Sequence, residues 1–134
     1  MARYSRRRGP AADLALTLAG VEVTALTITR FFDEGELLLL FRCGIGNGTA
    51  GPITFRARLQ IDGVNVSTLP PRNTIAAFLS GFLADAILAP VTAGIHTIRV
   101  MVEGSDIAGD ILEQDTASLS VIQLPLWDTD ADVT

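Results

Sequence analysis

His96 is the only histidine and Cys43 the only cysteine among 134 residues. A metal centre would therefore have to be built mainly from carboxylates, the ligands of hard cations. The best acidic spacing is Asp106, Asp110, Glu113 and Asp115, which lacks the glycine and closing glutamate of a calcium loop and reads as a solvated acidic edge. A Ser-His-Asp triad can be drawn around His96, but no Gly-x-Ser-x-Gly elbow marks a nucleophile. A lone histidine at a strand start is expected to be a satisfied structural residue. The stretch from Gly44 to Pro52 is glycine-rich, as a phosphate cradle must be, yet no Lys-Ser/Thr pair closes it and a strand pattern follows. Cys43 cannot form an intrachain disulfide, and beside an apolar run it is expected to be a buried, inert thiol. With no acid, base or nucleophile arrangement, the chain reads as a non-enzyme, and no catalytic, cofactor or metal residue is assigned.

The elements around these residues alternate with period two, as half-buried strands do. In Ile95 to Glu103, Ile98, Val100 and Val102 share a face with His96, while Thr97, Arg99, Met101 and Glu103 share the other. Ser118 to Leu124 is a second β-prone segment, stopped by Pro125. Ile53 to Asp62 alternates most regularly, and Asp62-Gly63 is a hairpin turn leading to Val64, Val66 and a break at Pro70-Pro71. Leu14 to Leu18 and Val21 to Thr29 also read as strands, the second slipping phase near Ala25 as a bulge would. Asp33-Glu34-Gly35 is a turn, and Gly44 to Pro52 a loop. Strand signals recur about every eight to twelve residues, which indicates an all-β sandwich of about eight or nine strands.

Two segments break the simple pattern. Glu36 to Cys43 contains Leu37, Leu38, Leu39, Leu40 and Phe41 without interruption. Such a run suits a strand buried on both faces, whereas a lone sandwich leaves one face of each strand in water. A subunit interface is therefore expected at these five residues. Ile75 to Leu88 places Ile75, Phe78, Leu79, Phe82, Leu83, Ala86 and Ile87 at helical spacing after an Asn73-Thr74 cap. Ser80-Gly81 in its middle would weaken a helix by ~1 kcal/mol.

The phrase Ala93-Gly-Ile-His-Thr-Ile-Arg-Val100, with Ser118-Leu-Ser-Val-Ile-Gln-Leu-Pro125 one loop later, resembles the end of the tumour-necrosis-factor-like jelly rolls found as trimeric structural proteins in tailed-phage particles. These motifs cover about a quarter of the chain. The resemblance implies an antiparallel jelly-roll sandwich, with a strand or strand pair rather than a helix over residues 75 to 88. It also implies a homotrimer and a head-decoration or cement role for a bacteriophage protein on the outer surface of a capsid, assembled in the host cytoplasm. The partner would be the major capsid protein or another virion protein. An alternative is a fibre-tip or tail protein that binds a glycan or receptor. Sugar binding usually wants exposed aromatic rings, and Tyr4 and Trp127 both lie toward the ends of the chain.

Composition supports a single self-supporting core, with 49% hydrophobic residues but one Trp and one Tyr. All ten basic residues are arginine, and the net charge is −5. Arg3, Arg6, Arg7 and Arg8 form a basic arm, so residues 9–134 hold six arginines against fifteen carboxylates, a net −9. An acidic body repels nucleic acid, and no nucleic-acid partner is expected. Arginines ahead of an alanine-rich stretch resemble an export signal, but Pro10 and Asp13 interrupt its apolar core. Ile75 to Val91, with Ser80, Gly81 and Asp85 inside, falls short of the ~20 apolar residues of a membrane span.

Three parts follow: an arm (1–10), the jelly-roll domain (11–125) and an acidic tail (126–134). Fixing a ten-residue arm costs on the order of 10–20 kcal/mol of backbone entropy, while an exposed arginine ion pair returns about 0–1 kcal/mol. The arm must therefore pair its backbone or bury itself against a neighbour. Arg3, Arg6, Arg7, Arg8 and Trp127 are the expected partner contacts, with Asp128, Asp130 and Asp132 complementing Arg6 to Arg8 of another copy.

Overall fold

The computed structural model describes residues 3–8, 14–15, 22–48, 50–67, 70–105, 109–111 and 118–124, with side chains for 22–48, 50–67, 70–105 and 118–124. The strands in chain order are β1 (Arg3–Arg8), β2 (Leu14–Ala15), β3 (Val23–Phe32), β4 (Gly35–Asn47), β5 (Ile53–Ile61), β6 (Val64–Asn65), β7 (Arg72–Ile75), β8 (Ser80–Val91), β9 (Gly94–Gly104), β10 (Gly109–Ile111) and β11 (Ser118–Leu124). Eight of these have four residues or more, and β2, β6 and β10 are short additions. None of the described residues forms a helix long and apolar enough to cross a membrane.

The strands form two antiparallel sheets. In the first, β11 and β8 flank β4, β1 pairs with the outer side of β11, and β10 with β2 continues the ladder past the end of β11. In the second, β9 lies between β3 and β5, while β6 and β7 share the far edge of β5. Neighbours in a sheet are mostly distant in sequence, so the chain crosses repeatedly between sheets.

Alternation decides which side chains enter the space between them. On β5, Ile53, Phe55, Ala57, Leu59 and Ile61 are buried, while Thr54, Arg56, Arg58 and Gln60 face outward. Ile98, Val100 and Val102 of β9 and Leu119 and Val121 of β11 complete the facing layers. Burying each large aliphatic side chain is worth about 1.5–3 kcal/mol. Cys43 is among them, and burial pushes its thiol up to about 12, so it packs as a small inert hydrophobe.

Local chemistry places the connections as the sequence suggests. The β3–β9 register shifts between Thr24 and Leu26, the bulge expected at Ala25. Asp62 (φ 51°) and Gly63 (φ 82°) both adopt the left-handed conformation that a two-residue hairpin requires. Residues 80–91 are strand, because β4 offers a full-length ladder from Gly35 opposite Val91 to Gly46 opposite Ser80. Tertiary pairing overrides the helical spacing, and the turn between β7 and β8 absorbs Phe78 and Leu79.

One boundary differs from expectation. The loop expected from Gly44 begins only after Asn47, since Gly44, Ile45 and Gly46 pair with Phe82, Gly81 and Ser80, and Ile45 enters the core. The cause is Asn47, a buried polar residue whose Nδ2 donates to the carbonyls of Gly51 (2.7 Å), Ile75 (2.9 Å) and Ala76 (3.3 Å). Its backbone N–H donates to Leu79 O at 2.9 Å. One side chain thus holds the loop after β4 against the β7–β8 turn. Another buried amide, Gln123, bonds both backbone groups of Asp33.

Replacing Asn47 with alanine strands those carbonyls and should cost about 1–3 kcal/mol of stability. Urea unfolding of Asn47→Ala is expected to show a lowered midpoint with an unchanged slope, and a wild-type midpoint would remove the clamp.

Candidate interaction surface

β8 pairs only with β4 among the described residues, so it forms one edge of the first sheet. Its Pro90, opposite Glu36, is tolerated there because an edge position need not donate on its free side. Leu83, Ala89 and Val91 point into the core. Phe82, Ala84, Ala86, Leu88 and Pro90 point out, in register with the outward residues of β4.

Reading across the sheet gives rows on its outer face. Ile122, Leu38 and Leu88 lie side by side, as do Ser120, Leu40 and Ala86, and then Ser118, Arg42 and Ala84. Leu88 is 57% exposed, Phe82 44% and Leu40 37%. The Arg42 guanidinium sits 3.9 Å from the Phe82 ring centroid, so a charge on this face covers an aromatic ring. At the end of the face, Phe78 (70% exposed) and Leu79 (60%) project from the β7–β8 turn. Phe78 holds φ 57°, a conformation that costs a bulky residue energy. These exposed apolar side chains make the face a candidate interaction surface.

The five-residue run expected at an interface divides between two environments. Leu37, Leu39 and Phe41 are at most 3% exposed and fill this chain's own core, because alternate residues of a strand point to opposite sides. Leu38 and Leu40 alone remain on the outer face. Sequence reading missed their neighbours Leu88 and Phe82, whose alternation was hidden by the helical spacing of the same segment. Ile122 was also missed, although the alternation of Ser118 to Leu124 carried that signal. The backbone of β1 pairs with β11 of the same chain from Arg3 opposite Gln123 to Arg8 opposite Ser118. The side chains of Arg3, Arg6, Arg7 and Arg8 lie outside the described residues, as do Trp127, the acidic tail and the side chains of Asp106, Asp110, Glu113 and Asp115.

His96 lies at the opposite end of the sandwich from Asn47. Its Nδ1 donates to Asp62 Oδ2 at 2.5 Å, and its Nε2 donates to Thr92 O at 2.8 Å. Neutral imidazole can donate from only one nitrogen, so two acceptors select the imidazolium. The Asp62 carboxylate and the Thr92 carbonyl raise the histidine above its usual 6.5, and the same contact lowers Asp62. The other oxygen of Asp62 accepts from Thr97 N at 2.9 Å, which locks the hairpin turn onto β9. This constellation has a histidine and a carboxylate but no nucleophile, and each group is used as a structural tie.

No family model and no curated protein matches the sequence. Solved structures do. The chain superposes on the structure of infectious bursal disease virus Gx strain with a TM-score of 0.65 and 17% identity, covering 92% of this chain and 33% of that one. On the VP2 subviral particle of the same virus the TM-score is 0.61 with 14% identity, covering 91% and 33%. On Eiger TNF from S. frugiperda it is 0.50 with 10% identity, covering 96% and 100%. The fold is an antiparallel jelly roll. The chain spans about a third of the viral chains that it matches, and identities this low carry the fold alone.

The histidine tie has a defined pH dependence. A raised folded-state pKa means that its stabilisation is fully present below the unfolded value of about 6.5 and is lost as pH rises through the folded value. The lowered Asp62 contributes above its usual 3.8 and is lost on acidification. Wild-type protein should therefore lose stability relative to His96→Gln as pH rises from below about 6.5 through the raised folded-state value, measured as denaturant midpoints across that rise. Parallel pH profiles for the two proteins would show that the tie is energetically silent.

Proposed function

We propose that this chain is a non-enzymatic virion structural protein, a homotrimeric decoration or cement protein that attaches to and stabilises a phage capsid from outside. The observation that carries the reading is the apolar outer face of the β11–β4–β8 sheet. Water contact along Ile122, Leu38, Leu88, Leu40 and Phe82 is unfavourable by about 25 cal/mol for each Å² of apolar surface, and packing against a different part of a neighbouring copy removes it. Three such head-to-tail contacts close into a ring, as a trimer requires. The fold shared with a virus particle protein and with a TNF protein, and the closing-strand resemblance, support a virion role and a trimer respectively.

Attachment is assigned to the basic arm. Arg3, Arg6, Arg7 and Arg8 concentrate positive charge on a chain whose remainder is acidic, which suits an acidic surface on the major capsid protein or another virion protein. Trp127, beside Leu124, Pro125 and Leu126, supplies an apolar anchor near the other end of the chain.

Multi-angle light scattering should give three times the chain mass. Leu88→Glu or Leu40→Glu, each burying a charge in the contact, should shift the protein to folded monomer, and a stable wild-type monomer would falsify the trimer. Replacing Arg3, Arg6, Arg7 and Arg8 together with glutamine keeps the β1 backbone ladder. That variant should remain trimeric yet fail to co-sediment with capsids, and undiminished co-sedimentation would reject the arm's role.

A further inference from the structure

Away from the exposed pair Phe31 and Ile95 at one end, the outer face of the second sheet is mainly polar. It carries threonines and arginines on β3, β9, β5 and β7. At one corner a cleft of about 610 Å³ is lined by Thr54, Arg56, Arg72, Thr74, Glu103 and Ser105. That volume falls within the range of about 300–1,000 Å³ typical of small-ligand sites.

Register explains the arrangement. Arg56 on β5 stands between Glu103 on β9 and Arg72 on β7, and Thr54 stands opposite Thr74. Arg56 Nε lies 3.2 Å from Glu103 Oε1, and the Arg56 side chain remains partly exposed to the cleft. Arg72 is exposed and has no side-chain partner among the described residues. The Thr54 and Thr74 hydroxyls are 2.8 Å apart, and whichever donates, the other keeps its proton for a ligand. Ser105 Oγ accepts from Thr54 N at 2.9 Å and so also retains a proton to donate. The cleft thus offers two guanidinium forks, two hydroxyl protons and one carboxylate, a net positive site on a body whose residues 9–134 sum to −9.

We propose that this cleft binds an acidic sugar, with the sugar's carboxylate or sulfate held by Arg72 and Arg56 and its hydroxyls by Thr54, Thr74, Ser105 and Glu103. A guanidinium fork matches the two oxygens of a carboxylate or sulfate. The hydroxyl groups match a polyol, and because no aromatic side chain lines the cleft, the sugar is held by polar contacts rather than by stacking on a ring. Glu103 competes with the ligand for Arg56 and weakens binding in the free site. The inference depends on neither the trimer nor the capsid: a monomeric chain that binds such sugars would keep it and lose the reading above.

Calorimetric titration of the intact protein with sialyllactose, sulfated lactose and plain lactose tests the cleft. At least one acidic probe should bind about tenfold or more tightly than lactose, and the affinity should fall with added salt. Arg72→Ala should weaken that binding about tenfold or more, the effect of losing a charge-assisted hydrogen bond. Glu103→Gln should strengthen it severalfold by freeing Arg56, a gain that misfolding cannot produce. Arg99→Ala, on the same face outside the cleft, should bind as wild type. Acidic probes that bind no better than lactose, or an Arg72→Ala variant with wild-type affinity, would overturn the proposal.

Discussion

The molecule depends on β4. It is the longest strand, with β11 on one side and β8 on the other, so its backbone is paired on both edges. Its inward residues Leu37, Leu39, Phe41, Cys43 and Ile45 form the middle of one core layer. A strand can fill such a position only if its inward face is apolar throughout and its neighbours are long enough to pair with it. β8 meets the second condition, and this is why a segment with helical spacing is extended.

The same strand explains where sequence reading succeeded and where it stopped. Ile53 to Ile61 was legible because one face is apolar and the other polar, so the residues report their own orientation. The Asp62-Gly63 turn and the slip at Ala25 were legible because each rests on local backbone chemistry. Leu37 to Phe41 signalled that both faces are apolar, but an unbroken run cannot say which residues face which way. The register with β8 supplies that, and register is a property of two distant segments. The clamp made by Asn47 was invisible for the same reason, since its acceptors come from residues 51, 75 and 76. The Thr54–Arg56–Arg72 cleft was likewise hidden, because β7 is short and its Asn73-Thr74 reads as a helix cap.

The two sheets meet in one core but differ in the chemistry they present outward. The first offers mainly leucines, alanines, an isoleucine and a phenylalanine, with Ser118, Ser120 and Arg42 among its other residues, while the second offers mainly threonines and arginines, with Phe31 and Ile95 exposed at one end. Such a division lets one face associate without consuming the other, because apolar contact is driven by area and polar recognition by placed donors. Buried amides at the two ends, Asn47 and Gln123, hold the turns that frame both faces.

Pro90 on the free edge of β8 bears on how many molecules can join. A sheet edge with a full set of N–H and C=O groups is a template on which further strands can add without limit, the route by which sandwiches grow into filaments. A proline removes a donor from that template, and the bend and steric bulk of its ring keep a neighbouring backbone from lying flat. Strand addition along this edge is thus obstructed at Pro90, beside the apolar outer face of the same sheet.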